Sequence, residues 1–179
     1  MQRAADRQKT LARFGALMSD ERLPIEVVNP FHMDAVEGRI LVHGQDDQSG
    51  RSYLMLESAA AKVYFVHYTS EIDEARSRGE LRVNSFVQLQ SASVSGAAVL
   101  DVKDCGNAES LLSNRQYFAN SARKLLNRGV MPTEDGWGGW LGRYQAALVR
   151  AATEVTRREE NKLTRENERK RRRERSLGR

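Results

Sequence analysis

The stretch EGRILVHGQDDQSGRSYLMLESAAAKVYFVHY, residues 37–68, decides the fold. It holds three short runs rich in branched and aromatic residues, EGRILVHGQ, RSYLMLES and KVYFVHY, joined by DDQSG and SAA, which are built from turn formers. Within the second run Tyr53, Met55 and Glu57 alternate with Leu54 and Leu56; within the third Tyr64, Val66 and Tyr68 alternate with Val63, Phe65 and His67. A period of two places successive side chains on opposite faces, so both runs read as strands. Two more runs of the same character, NSFVQLQ (residues 84–90) and AAVLDVK (residues 97–103), follow a helical insertion, SEIDEARSRGEL. The expectation is an α+β protein around a small five-stranded antiparallel barrel or strongly bent sheet.

Helical patterns flank this centre. Residues 2–19 place Leu11, Phe14, Leu17 and Met18 at helical spacing, and a short extended piece, PIEVVNPF, leads into the strands, with Pro30 holding Asn29 out of helix. After Asp104, Leu111, Leu112, Phe118, Ala122, Leu125 and Leu126 repeat with helical period, and Gly129 is placed to close that helix. A further helix is expected from Thr133 as cap, with Glu134 and Asp135 at its positive end and an apolar stripe of Trp137, Trp140, Leu141, Tyr144, Leu148, Ala151 and Val155. Beyond Val155 only Leu163 and Leu177 are sizeable and apolar, while Glu154–Arg158, Glu166–Lys170 and Glu168–Arg172 are spaced to support a solvated helix. The expected organisation is an N-terminal helix and linker (residues 1–35), a barrel-like domain (36–104), a helical region (105–157) and a long projecting basic helix (158–179).

Charge is unevenly distributed. Residues 1–130 carry 16 Lys+Arg against 16 Asp+Glu, residues 131–179 carry 13 against 8, and residues 169–179 alone carry 7 against 1. The entire excess of +5 therefore lies toward the C-terminus, and any sequence-independent attraction to polyanions is expected there. The single cysteine, Cys105, cannot form an internal disulfide, which suits a reducing compartment. The opening residues lack the apolar run of a signal peptide, and no stretch approaches a membrane span, so the expectation is a soluble cytoplasmic protein.

No catalytic group and no metal site is expected, and no cofactor. The histidines, His32, His43 and His67, have neither His-x-His nor helical His-x-x-x-His spacing. His43 and His67 could meet across the sheet, although hydrogen-bonded strand positions account for both. Asp46 and Asp47 precede Ser49 and Gly50 and read as turn chemistry. GWGGWLG lacks the Gly-Lys-Ser/Thr end and preceding strand of a phosphate loop; Gly136, Gly138, Gly139 and Gly142 read instead as permitting close packing of Trp137 and Trp140.

The tail NERKRRRERSLGR carries the functional signal, and three readings stand. It is a solvated helix end, a nucleic-acid arm using Arg169, Lys170, Arg171, Arg172, Arg173 and Arg175, or an address read by another machine. Arginine stays charged at any relevant pH and binds phosphate through two parallel hydrogen bonds, so the second reading predicts salt-sensitive contact with single- or double-stranded DNA, indifferent to sequence. For the third, Arg165, Arg173, Arg175 and Arg179 are spaced in a way that resembles the arginine-rich C-terminal signals of proteins exported by conjugation-type (type IV) secretion systems, with Leu177 standing where that pattern has arginine.

A second likeness comes from the strands. Gly38, Arg39, Ile40, Gly44, Tyr53, Leu54, Tyr64 and Val66, with the preceding RQKTLARFGAL, resemble the segment that follows the nuclease domain in conjugative relaxases. That resemblance covers roughly residues 7 to 90. It implies a non-catalytic, relaxase-like accessory or C-terminal module in conjugative DNA processing or transfer, with DNA or type IV secretion components as partners. The metal-binding histidine pair of that family is not matched here, so no tyrosine inherits a nucleophilic role. The alternative expectation is a protein-interaction or regulatory module whose basic tail only solubilises it.

Overall fold

A computed structural model describes residues 23–178. The helix expected over residues 2–19 lies outside them, as does Arg179. The protein is α+β; the described residues form six strands and four α-helices in the order β1 (Ile25–Val27), β2 (Val36–Gln45), β3 (Ser52–Ser58), β4 (Val63–His67), α1 (Ser70–Ser77), β5 (Ser85–Val94), β6 (Ala97–Asn107), α2 (Ala108–Leu111), α3 (Arg115–Asn127) and α4 (Gly139–Leu177). The strands form one sheet in the order β1-β4-β3-β2-β5-β6. All five expected strands are present. The sheet is open, however, and not a barrel: β1, the extended piece before Pro30, adds a sixth strand parallel to β4, and the remaining pairs are antiparallel. Closure would require β6 to pair with the far edge, and β1 occupies that edge instead.

The described residues fall into two compact units, 23–113 with 138–141, and 114–137 with 142–178. In the first, β3 is buried along nearly its whole length, because both faces of the sheet are covered. Leu54 and Leu56 join Val36, Ile40, Tyr64, Val66, Val87 and Leu89 on one face, packed against Ile72 and Ala75 of α1. Thr69 caps α1 by accepting a hydrogen bond from the Ile72 amide at 3.3 Å. On the opposite face Tyr53 stacks on Phe65 with ring centroids 4.3 Å apart. Gly44 lies directly across from Tyr53, and a side chain there would run into the tyrosine ring. Gly38 is needed for a similar reason, since a Cβ would overlap the Glu57 carbonyl.

Arg39 faces Glu57 across the β2–β3 pair, and its Nε donates to Glu57 Oε2 at 2.9 Å. Glu57 is only 4% exposed, and Arg39 offsets the cost of taking its side chain out of water. The Arg39 guanidinium also lies 5.6 Å from the ring centre of Trp140, which is 1% exposed and donates from Nε1 to the Ala108 carbonyl at 2.9 Å. A register shift between Ile40 and Val42 inserts one extra residue into β2 and bends it.

The second unit is helical. Asn114 caps α3 through Oδ1 and the Tyr117 amide at 3.0 Å. Gly129, with φ +73°, closes that helix as its place in the sequence foretells. Phe118 packs edge-on to Tyr144 with centroids 5.1 Å apart, and the Tyr117 and Tyr144 hydroxyls are 2.7 Å apart.

Helix α4 starts at Gly139, six residues after the cap expected at Thr133. Gly136 and Gly139 adopt φ of +72° and +62°, a left-handed conformation that interrupts a helix, and this leaves Trp137 outside the apolar stripe. The Trp137 carbonyl turns back onto Gly142, where an added Cβ would overlap it. Gly→Ala within a helix ordinarily gains about 1 kcal/mol from propensity. Gly142→Ala is expected instead to lose about 1–3 kcal/mol net, because the obstacle is backbone and no rotamer relieves it. A raised thermal midpoint for that variant would show that the hook is dispensable.

Candidate nucleic-acid interface

Helix α4 is continuous for 39 residues. Its buried positions, Trp140, Leu141, Tyr144, Gln145, Ala147, Ala152 and Val155, end where the apolar pattern ends, and every residue from 157 to 178 is exposed. That exposed segment holds ten Lys+Arg against five Asp+Glu, with no aromatic residue and only Leu163 and Leu177 as sizeable apolar side chains. At 1.5 Å per residue it is about 33 Å long. The Arg158 guanidinium pairs with Glu154 one turn back, as the i,i+4 spacing predicts.

The helical path sorts the basic residues into two patterns. Arg158, Lys162, Arg165, Arg169 and Arg173 are separated by four, three, four and four residues. At about 100° per residue they stay within about 45° of one line, forming a seam of five cations with no carboxylate among them. Arg169, Lys170, Arg171, Arg172 and Arg173 are consecutive, so they step around the whole circumference. Arg175 adds a further cation one turn after Arg171 and Arg172. All six residues expected to contact nucleic acid are therefore on one exposed helix. Of the four arginines of the export-signal spacing, Arg165 and Arg173 share the seam, Arg175 lies on another side, and Arg179 is outside the described residues.

The positions that carry the relaxase likeness serve the sheet itself. Gly38 and Gly44 clear space for Glu57 and Tyr53, Arg39 holds Glu57, and Ile40, Leu54, Tyr64 and Val66 are core.

The histidines do not form a pair. His43 is registered with Leu54 and His67 with Tyr53, and these neighbours in β3 face opposite sides of the sheet. His43 Nε2 is 2.6 Å from the Leu81 carbonyl, an acceptor only, so that nitrogen carries the proton. Nδ1 then accepts from the Tyr68 hydroxyl at 2.5 Å. The same Leu81 carbonyl accepts from Arg76 at 3.2 Å, and the Leu81 amide donates to Asp104 at 2.8 Å. These bonds hold Leu81 at φ +56°, a left-handed conformation rare for leucine. His67 Nε2 lies 3.3 Å from Asp46 Oδ2. Asp46 also accepts from the Gln48 amide and the Ser49 hydroxyl, the turn chemistry expected of that aspartate. Among the described residues no group of three or more His, Cys, Asp or Glu side chains is gathered as a metal site.

Burial lowers the pKa of His43 below its ordinary 6.5, with a further push from the Arg76 charge, against the opposing Leu81 bond. Below pH 6.5 the unfolded chain then takes up a proton that the folded chain refuses. This group's contribution is therefore present above pH 6.5 and is lost as pH falls through the lowered value. Thermal midpoints measured from pH 7.5 to 5 are expected to decline on acidification, and less steeply for His43→Gln. Identical slopes would remove His43 as a cause.

No protein-family model matches the chain, nor does any curated protein or solved structure. Among the described residues no helix is long and apolar enough to cross a membrane.

Proposed function

We propose that this chain is a non-catalytic accessory module that contacts nucleic acid through the basic end of α4, in the processing or transfer of DNA during conjugation. The observation that carries the reading is the exposed segment of residues 157–178, where ten cations lie on a continuous helix with neither a buried face nor an apolar stripe. Solubility asks for a net charge spread over a surface of mixed sign, whereas this excess is gathered on one exposed helix end, which suits contact with phosphate. The relaxase likeness of residues 7 to 90 and the arginine spacing of the tail support the setting of DNA transfer. Arg169, Lys170, Arg171, Arg172, Arg173 and Arg175 are the contact residues, and no residue is assigned to catalysis.

The test is fluorescence anisotropy with labelled single- and double-stranded DNA at several salt concentrations. Salt-sensitive binding, indifferent to sequence, is the expected result. Absence of binding to either form at low salt would reject the reading.

One observation favours the alternative, a protein-interaction module. The β5–β6 hairpin continues past the last β2 partner, Leu89, and residues 91–100, SASVSGAAVL, carry no charge and are largely exposed. Charged side chains ordinarily guard such edges. If this hairpin is the working surface, Val94→Lys removes partner capture while DNA binding persists.

A further inference from the structure

From the arrangement of cations around α4, and resting on the nucleic-acid reading above, we infer that the segment Arg157–Ser176 is a ligand for the major groove of B-form duplex DNA. Three properties of the segment select that target. The first is the absence of a stacking platform. Proteins that hold single strands place bases on aromatic rings, and residues 157–178 contain no Phe, Tyr or Trp. Contact is therefore restricted to phosphates and groove edges, and the duplex, with its greater charge density, releases more counterion per contact.

The second property is shape. An α-helix with its side chains is about 10–12 Å across, which matches the B-form major groove at about 12 Å and exceeds the minor groove at about 6 Å. The major groove of A-form RNA is deep and narrow, so a helix of this girth is turned away from it. A lipid surface is equally unsuited, because a helix lying on a membrane buries an apolar face. Here the only large apolar side chains after Val155 are Leu163 and Leu177, 59% and 85% exposed.

The third is the two-part distribution of charge. A helix resting on a single row of phosphates needs cations on one side only, and the seam of Arg158, Lys162, Arg165, Arg169 and Arg173 supplies that side. The run from Arg169 to Arg173 points cations in every direction. Such a ring is useful where phosphates rise on both sides, as they do along the two walls of a groove. The seam tracks one strand toward the groove, and the ring sits between the two strands.

Of the segment's five carboxylates, Glu160 and Glu174 lie about 140–180° of helical rotation from the seam, where a side facing out of the groove meets solvent, while Glu159, Glu166 and Glu168 flank it at about 60–100°. Recognition through phosphates carries no sequence information, so the ligand is duplex DNA as a class.

Four probes, each about two helical turns or the equivalent length, test this with the full chain: plain duplex DNA, duplex DNA with glucosylated hydroxymethylcytosine, single-stranded DNA and duplex RNA. Glucose fills the major groove and leaves every phosphate and the minor groove intact. The expected result is tightest binding to plain duplex, about tenfold or more weaker binding to the glucosylated duplex, and no effect of distamycin, which occupies the minor groove. Equal affinity for plain and glucosylated duplex, or single strands or duplex RNA bound as tightly as duplex DNA, would overturn the groove assignment while leaving nucleic-acid contact in place. Binding to none of the four would overturn both.

Discussion

Replacing Trp140 by alanine is expected to lower the stability of the sheet unit by about 3–5 kcal/mol, the largest loss from any single side chain in it. The indole is 1% exposed and lies between Phe86, at a centroid distance of 5.8 Å, and the Arg39 guanidinium. Truncation leaves a cavity that backbone on a helix and a sheet cannot close, and it strips the Ala108 carbonyl of the bond it accepts at 2.9 Å. Arg39 and Glu57 would also lose the aromatic surface that shields their pair. Trp140→Phe keeps most of the volume and loses the N–H, so a smaller cost of about 1–3 kcal/mol is expected. Urea denaturation followed by circular dichroism reads both. A midpoint for Trp140→Ala matching the parent would mean that the first turn of α4 is not anchored through the indole.

Replacing Arg169, Lys170, Arg171, Arg172, Arg173 and Arg175 together by glutamine is expected to weaken binding to duplex DNA by about 10³-fold or more at ~0.1 M salt. Each lost phosphate contact forfeits roughly 0.9 of a released counterion on B-form DNA, so six contacts account for most of the binding that carries no sequence preference. Stability should hardly change. All six side chains are exposed, and glutamine has nearly the helix propensity of arginine and lysine. A parallel melting curve would therefore separate lost contact from lost structure. Undiminished binding by the six-fold variant would shift the contact surface to the sheet or to the cations before Arg169.

The strands were legible because each carries its own signal: alternation in residues 53–57 and 63–68, and turn formers between them. What alternation could not show is that both faces of β3 are covered, or that three residues, Ile25–Val27, would pair parallel to β4 and hold the edge that a barrel needs. A three-residue strand has too few positions to display a period. The extension of β5 to Val94 was hidden for a different reason. Ser91, Ala92 and Ser93 are weak strand formers, and their pairing is set by Ser95 and Gly96, whose φ of +53° and +81° make a tight hairpin turn.

The late start of α4 follows from glycine. Thr133, Glu134 and Asp135 make a credible helix entrance, and the Thr133 hydroxyl does bond Asp135, but the positive φ of Gly136 and Gly139 prevents the helix from passing through. Charge, by contrast, could be read directly. A helix without an apolar face stays exposed, so the basic tail is where its composition places it. The seam from Arg158 to Arg173 was available from spacing alone, since it needs only that the helix be unbroken. In the linear sequence the dense run Arg169–Arg175 hides the line that Arg158 and Lys162 begin.

The first measurement to make is the dependence of binding on salt for the full chain with a fluorescent DNA duplex. Phosphate contact through the end of α4 predicts a plot of log affinity against log salt with a slope of about −4 to −6, markedly shallower in the six-fold glutamine variant, which keeps only Arg158, Lys162 and Arg165 of the seam. A slope that is unchanged by that substitution, or no binding at low salt, would contradict a role for this helix in holding nucleic acid.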